Sequence, residues 1–301
     1  MPPKTFKGKR PAGSSSRFNT ERFKDAESAS RFESRFKNRT VIFERLVVQS
    51  ELTSTSFLHW LHINGCMILM NLINECFEDW VREFYCNIFD VSDSDFKTYV
   101  RGKTLHVNAN KIATLLNLRR PTARSYPFAD AENIEIQGNE VATVLCGEPI
   151  IWDTPTFSIS GLTTDYRLLN TFVCNNIEPR SHQSDLLYPQ AFLLYSLGTG
   201  NSVDIPLTIL ESMLRIHHEL RKLTLPFGAI ICKMMIEAGC KAYTHELPVA
   251  KRQKIDYRTS AMSDTHVRRR PQREQAPAQA EDAETDSIED RLLAIEHAVY
   301  D

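Results

Sequence analysis

The sequence predicts a mainly α-helical protein, in which a single globular multi-helix domain carries one small β-hairpin and ends in disordered arms. Apolar residues recur every three or four positions through most of residues 51–238, which is the spacing of amphipathic helices. One short stretch alternates instead, around a turn that contains glycine. Large apolar residues are scarce at both ends of the chain, where the sequence lacks the means to build a core.

The charge is unevenly distributed along a chain of otherwise ordinary globular composition. The 301 residues are 42% hydrophobic and 25% charged, with a formal net charge of −2. That charge is +7 for residues 1–45, −7 for 46–250, +6 for 251–273 and −8 for 274–301. The acidic middle argues against a phosphate-binding surface on the domain itself, which leaves nucleic-acid binding to the basic arms.

These changes in composition define the expected domain boundaries. We assign residues 1–19 to a disordered basic arm and residues 20–245 to the helical domain. Residues 246–287 form a disordered tail that is first basic and then acidic. Residues 288–301 are expected to form a short amphipathic helix, because Ile288, Leu292, Ile295 and Val299 follow a coiled-coil spacing for less than two heptads.

The first half of the domain is predicted to contain helices and the hairpin. Phe32 and Phe36 are four positions apart and predict a short helix that docks on the domain. Residues 51–89 are helical in pattern, with a break expected at Asn64-Gly65. Residues 96–100 and 104–107 alternate around Arg101-Gly102-Lys103 and predict the hairpin, after which Asn108 or Asn110 can cap a helix over 111–118.

The second half of the domain is predicted to contain loops followed by helices. Residues 119–160 are poorly patterned and predict loops, a short helix and at most one strand. Asp165 and Ser184 are the expected N-caps of two helices that reach about residues 177 and 197. Two further helices are expected over 205–223 and 227–238. Eight residues on the apolar helical stripes are expected to share one core: Trp80, Phe84, Ile112, Leu116, Phe172, Leu193, Leu194 and Ile231.

Patterns for cofactor and metal binding were sought and none is convincing. No phosphate-binding P-loop occurs, and Gly198-Thr199-Gly200 lacks the third glycine of a dinucleotide fingerprint. His59, His62 and Cys66 share a helix face, but no fourth ligand is indicated. Acidic residues at 90, 93 and 95 are typical of a turn after a helix. We therefore expect no cofactor, no tight zinc or magnesium site and no enzymatic activity.

The cysteines and the N-terminus predict a soluble intracellular protein. The seven cysteines are odd in number and lie in apolar contexts, as expected for small buried hydrophobic residues in a reducing compartment. The N-terminus lacks the apolar segment of a secretory signal. No apolar run approaches the roughly 20 residues that span a bilayer.

A basic cluster predicts nuclear import and favours the nucleus over the cytoplasm. Lys251, Arg252 and Lys254 lie between Pro248 and Asp256 and resemble an import signal of the Pro-Ala-Ala-Lys-Arg-x-Lys type, which an import carrier binds as an extended chain. The alternative is a solvated basic linker. A second basic cluster follows, formed by Arg268, Arg269, Arg270 and Arg273.

An ordered series of segments carries a resemblance to a known family. They are VREFYCN (81–87), YVRGK (99–103), IATLLNL (112–118), NTFV (170–173), IEPRSHQSD (177–185), AFLLY (191–195), LPFGAIIC (225–232) and AGC (238–240). The series resembles the putative plant transposon protein domain, a family of plant retroelement-derived proteins, over residues 40–242. The chain departs from it at Gly228, where the family usually has a small hydroxyl residue, and at Leu197-Gly198, which replaces an apolar-Thr pair.

The resemblance implies an origin without implying a reaction, because the family has no established active site whose residues could be transferred. A transposase needs clustered carboxylates on a sheet, a reverse transcriptase needs Tyr-x-Asp-Asp, and many gag proteins carry a zinc knuckle; the sequence contains none of these patterns. We expect a non-catalytic protein-interaction or self-association module. The alternatives are a non-specific nucleic-acid-binding protein that uses its basic arms and a degenerate transposase or nuclease remnant.

Overall fold

A computed structural model describes residues 18–73, 75–128, 137–180, 183–218, 224–249, 253–259 and 261–262. Within these ranges the protein is mainly α-helical with short strands, which confirms the predicted fold class. The helices are α1 (Ala26–Arg31), α2 (Ser56–Ile63), α3 (Glu78–Cys86), α4 (Ala109–Leu116), α5 (Gly138–Cys146), α6 (Thr164–Asn176), α7 (Tyr188–Thr199), α8 (Ile205–His218) and α9 (Gly228–Glu237).

The strands form four two-stranded pairs. They are β1 (Thr40–Val41), β2 (Leu46–Val47), β3 (Asp95–Val100), β4 (Lys103–Asn108), β5 (Phe157–Ser158), β6 (Asp185–Leu186), β7 (Thr224–Leu225) and β8 (Lys254–Ile255). The pairs β3–β4 and β5–β6 are antiparallel, whereas β1–β7 and β2–β8 are parallel. The two parallel pairs join segments far apart in the chain, and local sequence patterns do not reveal such pairings.

The expected break in the long helical stretch is confirmed. Helix α2 ends at Ile63, and Gly65 then adopts φ +68°, a left-handed conformation that favours glycine. A 3₁₀ segment over Cys66–Met70 follows before α3 begins. The two apolar stripes therefore belong to separate helices, α2 and α3, and not to one continuous helix.

The hairpin β3–β4 is confirmed with a turn of two residues. Val100 pairs with Lys103, so Arg101 and Gly102 alone form the turn, and both have positive φ. Such turns match the twist of the paired strands. Alternate residues Phe96, Thr98 and Val100 face the interior. The hairpin thereby lies against the body with its tip residue Arg101 buried.

Two of the expected helix caps differ from the structure. Asn108 caps α4 as predicted, because its side chain accepts a hydrogen bond from the Lys111 amide at 2.8 Å. Thr163 caps α6 in place of Asp165, whose carboxylate accepts from the Ser56 amide at 3.0 Å and ties α6 to the start of α2. Helix α7 begins after Leu187, not after Ser184.

The predicted core is confirmed. All eight residues on the apolar stripes are at most 1% exposed and belong to one contiguous hydrophobic cluster. Phe172 of α6 contacts Phe57 of α2 edge-to-face, with ring centroids 5.8 Å apart. Aromatic pairs of this geometry stabilise beyond the area that they bury.

The N-terminal segment of the described structure docks on this core. Phe32 and Phe36 are buried at the two ends of a single π-helical turn, Phe32–Phe36, which continues α1. Phe18 also packs against the core, although it was assigned to the disordered arm. Residues 1–17 lie outside the described residues.

The predicted start of the disordered tail at residue 246 does not match the structure. The Val249 amide donates to the Cys76 carbonyl at 2.8 Å, and β8 pairs with β2. Ile255 is fully buried, which anchors this strand by a single apolar side chain. The residues around Ile255 are mostly polar, so the composition of the segment does not indicate that it packs against the domain.

The described chain contains no helix that is both long and apolar enough to cross a membrane. The expected short helix over residues 288–301 lies outside the described residues, as does most of the expected tail beyond residue 262.

Candidate functional site

A buried ion-pair network joins the hairpin to α3 and to the C-terminal side of the domain. The Arg101 guanidinium donates to both carboxylate oxygens of Glu83, at 2.7 and 3.0 Å, and also to both oxygens of Glu246. It lies 4.0 Å above the centre of the Tyr243 ring. Burial by itself lowers the pKa of Arg101, but the two carboxylates outweigh burial and raise it. The network therefore links the hairpin, α3 and Glu246 on the C-terminal side of the domain.

The same network fastens the N-terminal segment. The Nε of Arg22 donates to Glu83 at 2.6 Å, and the Gly102 amide donates to the Glu21 carbonyl at 2.9 Å. The Asn87 side chain accepts from the Lys24 amide and donates to the Arg22 carbonyl. The Arg22 guanidinium, part of the positive charge of residues 1–45, is therefore paired with a buried carboxylate of the domain.

Four carboxylates are buried among the described residues, and each has structural partners. Besides Glu83, Glu178 binds Arg215 at 3.2 Å and Asp204 binds Arg120 at 2.7 Å. Glu44 accepts from the Ala229 and Ile230 amides at 2.7 and 2.9 Å, at the N-terminus of α9. A carboxylate at this position satisfies amides that have no partner within the helix and interacts favourably with the helix dipole.

The thiols are free and almost all buried. Burial raises the pKa of Cys66 to about 12, and burial likewise raises the pKa of Cys174 and Cys240. Because the thiolate is the reactive form, these cysteines are held in the unreactive state. This agrees with the prediction that they act as small apolar residues; Cys146 is the half-buried member of the set.

The most ligand-like residues of the sequence do not converge on a metal site. His59 and His62 are exposed on α2, whereas Cys66 is fully buried beyond the break. Among the residues that the structure describes, no group of three or more His, Cys, Asp or Glu side chains is placed to hold a metal ion.

The predicted import residues fall mostly outside the described structure. Lys251 and Arg252 lie outside it, as do all four arginines of the second cluster, Arg268, Arg269, Arg270 and Arg273. Lys254 is described: its side chain is exposed, but its backbone belongs to β8. The Leu46 and Val48 amides donate to the carbonyls on either side of it, so Lys254 lies in a segment that pairs with the body.

Sequence analysis did not predict an arginine-lined cavity of about 270 Å³, which lies beside α6. Its lining comes from the link between β1 and β2 (Arg45), from α6 (Arg167 and Asn170), from the loop before β6 (Gln183) and from the C-terminal segment (Met262). No single stretch of sequence contains this set. The only local signal is that Asn170 and Gln183 lie within two of the segments that carry the family resemblance.

A second group of residues that sequence patterns do not connect consists of two exposed apolar side chains, each next in sequence to a half-buried aromatic ring that packs against the core. We call Ile151, Trp152, Leu187 and Tyr188 the aromatic patch. The Trp152 and Tyr188 rings lie 5.9 Å apart, and the neighbouring side chains Ile151 and Leu187 are 79% and 50% exposed. The residues of the aromatic patch come from two segments 36 positions apart, and no local spacing in the sequence links them.

A family model matches most of the described domain. The family model described as "Putative plant retrotransposon-related domain" matches residues 63–241, which is more than half of the chain. No curated protein and no solved structure matches the sequence. The matched range covers α3 to α9, the Glu83–Arg101 pair and all eight predicted core residues. The match confirms the plant retroelement-derived resemblance, and the chain belongs to the putative plant retrotransposon-related domain family.

Proposed function

We propose that this domain is a non-catalytic module that associates with protein partners, and that the first such partner is a second copy of the chain. The observation that carries the proposal is the aromatic patch, in which Ile151 is 79% and Leu187 is 50% exposed beside Trp152 and Tyr188. Tryptophan and tyrosine are enriched among the residues that dominate binding energy at protein interfaces.

The buried polar groups support a structural, non-catalytic reading. The carboxylates of Glu44, Glu83, Glu178 and Asp204 are each occupied by arginines or helix amides. Raised thiol pKa values such as that of Cys66 argue in the same direction. A catalytic carboxylate or thiol is generally accessible to substrate, and these groups are consumed by contacts that stabilise the fold.

A symmetric dimer is the simplest assembly that covers such a patch. In a two-fold interface the same surface meets itself, so aromatic rings on one copy pack against the equivalent rings on the other. The test is sedimentation velocity on the full chain over a range up to about 100 μM, where a micromolar dimer would form. We expect concentration-dependent dimerisation.

The variant Ile151→Asp with Leu187→Asp should weaken this dimer at least about tenfold, the equivalent of about 1.4 kcal/mol. Leu247→Asp is the matched control, because Leu247 is 85% exposed and lies outside the aromatic patch. A chain that stays monomeric throughout contradicts self-association. Equal weakening by both variants contradicts the assignment to this patch.

We further propose that the protein is nuclear and that the segment around Lys251, Arg252 and Lys254 binds an import carrier. Support comes from the spacing of the basic residues and from the exposed Lys254 side chain. The import experiment is given in the Discussion.

Non-specific nucleic-acid binding is the alternative function, and it rests on the charge of the arms. Residues 1–17 contain five Lys/Arg and no Asp/Glu. Binding of this kind weakens steeply with salt and shows no sequence preference. Fluorescence anisotropy with two unrelated duplexes across a salt series tests it: salt-independent or sequence-selective binding contradicts this mode.

A further inference from the structure

We propose that the arginine-lined cavity beside α6 binds the phosphate group of a small molecule. The proposal goes beyond the interaction role, because the cavity and the aromatic patch share no residue. Three observations support the proposal. Two donor groups at the cavity have no hydrogen-bond partner among the described residues, the lining is positively charged, and the cavity volume fits a small ligand.

The first unpartnered group is the guanidinium of Arg45. The Arg45 backbone is held on both sides by Asn176, at 3.1 Å through its amide and at 2.9 Å through its carbonyl. Its side chain, by contrast, makes no hydrogen bond or ion pair with any residue in the described ranges, and its Nε is buried. Burial lowers the pKa of Arg45, because it disfavours the charged form of the side chain. An anion in the cavity would compensate that charge.

The second unpartnered group is the amide nitrogen of Asn170, a residue that is only 3% exposed. Its Oδ1 accepts from Nη2 of Arg180 at 2.8 Å and from the Cys174 thiol at 3.4 Å. Since a guanidinium can only donate, this contact identifies the oxygen and leaves Nδ2 as the other amide atom. Nδ2 makes no hydrogen bond with the described residues, although Asn170 lines the cavity.

Both unpartnered groups are donors, so the missing partner must bring acceptors. Arg167 adds a second positive charge to the lining while its own Nε donates to the Leu162 carbonyl at 3.1 Å. The described lining residues include no carboxylate. The cavity lining thus carries two arginines and no acid, one from the positive segment 1–45 and one from the acidic segment 46–250, and the charge of neither segment reveals this pairing.

The arrangement of donors favours phosphate over carboxylate. Arg45, Asn170 and Gln183 line the cavity from three different elements, with Nε2 of Gln183 also donating to the Arg180 carbonyl at 3.4 Å. A phosphate ester presents three terminal oxygens in a tetrahedral arrangement. A carboxylate presents two oxygens in one plane and would leave one side unmatched. An arginine guanidinium can bind either a carboxylate or a phosphate through two hydrogen bonds. The preference for phosphate therefore depends on the additional donors, Asn170 and Gln183.

The size of the cavity limits the ligand. Its volume of about 270 Å³ lies just below the range of about 300–1,000 Å³ that is typical of small-molecule sites. Ile159 and Met262 add apolar surface to an otherwise polar lining. The cavity therefore suits a phosphate on a small organic body and is too small for a dinucleotide.

The test titrates inorganic phosphate into the full chain at constant ionic strength, with chloride as the balancing anion. Phosphate binding is followed by ³¹P line width and by backbone amide shifts. We expect saturable binding by about 20 mM, as for a millimolar site. Arg45→Gln should raise the Kd at least about tenfold. Arg35→Gln, which removes the same charge from an exposed residue away from the cavity, should leave the Kd within about twofold.

A second pair of variants keeps the test decisive if Arg45→Gln folds poorly. Met262 is 65% exposed and lines the cavity, so its replacement should not disturb the core. Met262→Glu should weaken phosphate binding by repulsion, whereas the neutral control Met262→Gln should not. Succinate, titrated in parallel, should bind more weakly than phosphate.

Three results would overturn the proposal: no saturable phosphate binding, equal effects of Arg45→Gln and Arg35→Gln, or succinate binding as tightly as phosphate. None of these bears on dimerisation through the aromatic patch, so the two proposals fail separately.

Discussion

Arg101, at the tip of the β3–β4 hairpin, donates hydrogen bonds to both carboxylate oxygens of Glu83 in the middle of α3. Both side chains are almost completely buried. The pair unites two of the segments that carry the family resemblance, VREFYCN and YVRGK. Arg101 holds this position with φ +50°, a conformation with a steric cost for any residue that has a side chain. Its bonds to Glu83 and Glu246 offset that cost.

Removing the guanidinium should destabilise the fold strongly. In Arg101→Met, Glu246 loses its arginine partner and Glu83 keeps only Arg22, so we expect a loss of about 3–5 kcal/mol in the free energy of unfolding. Lys97→Met is the matched control in the same hairpin, since its ion pair with Asp90 is exposed and should contribute less than about 1 kcal/mol. Urea denaturation measures both. Similar losses for the two variants would contradict a dominant role for the buried network.

Phe172 tests the core. Phe172→Ala should cost about 3–5 kcal/mol, because the ring is fully buried against Phe57 and its removal leaves a cavity. Leu247→Ala, at an 85% exposed position, should leave the unfolding midpoint unchanged. A loss below about 1 kcal/mol for Phe172→Ala would mean that the site collapses around the cavity.

Gly198 tests a close contact at one of the departures from the family pattern. A Cβ atom at Gly198 would lie 2.2 Å from the Tyr166 hydroxyl, so Gly198→Ala should destabilise by about 1–3 kcal/mol. The effect opposes helix propensity, which favours alanine over glycine by about 1 kcal/mol. Adding Tyr166→Leu should reduce the penalty. Gly138→Ala is the control, because its new Cβ would meet only ordinary contacts; a stabilised Gly198→Ala would disprove the clash.

Gly228 is the other departure from the family pattern, and an aromatic ring lies close to it as well. A Cβ at this position would lie 2.3 Å from the Phe43 ring. The chain thus has glycine at both departures, and at each an aromatic side chain occupies the space that a larger residue would need.

The cap of α1 gives a pH dependence. The pKa of Asp25 is lowered to about 2, first by the hydrogen bond from the Ser28 amide. Because the folded pKa lies below the unfolded value of 3.8, this stabilisation is present above about pH 4 and is lost as the pH falls towards 2. The stability difference between the native chain and Asp25→Ala should therefore shrink as the pH falls from about 4 towards 2. Asp25→Asn keeps a capping oxygen without titrating, and its stability difference from Asp25→Ala should not shrink over this range.

The import proposal predicts unequal contributions from the three basic residues. In a fluorescent fusion too large to diffuse through nuclear pores, replacing Lys251 and Arg252 with Ala should move the protein from nucleus to cytoplasm. Lys254→Ala should have a smaller effect, because β8 pairs with β2 on both sides of Lys254 and restrains it. The melting temperature should not change in either variant. A large fusion that is cytoplasmic before any mutation refutes nuclear import by this segment.

The sequence by itself determined the features of this protein that depend on neighbours a few residues apart. The three- and four-residue spacing of Trp80, Phe84, Ile112 and Leu116 identified buried helix faces, since the helix repeat places such residues on one side. Alternation and a glycine turn likewise predicted β3–β4, and Gly65 marked the end of α2.

Only the tertiary structure decided which distant residues meet. Arg101 and Glu246 are 145 positions apart, and β2 pairs with β8 across most of the chain. Thr163, not Asp165, caps α6; Asp165 lies in the first turn, and its carboxylate accepts a hydrogen bond from the Ser56 amide of α2, 109 positions away. The cavity combines Arg45, Asn170 and Met262 from three separate segments. Local patterns report burial and turns, whereas contacts of this kind depend on how the helices pack, and no spacing in the sequence encodes them.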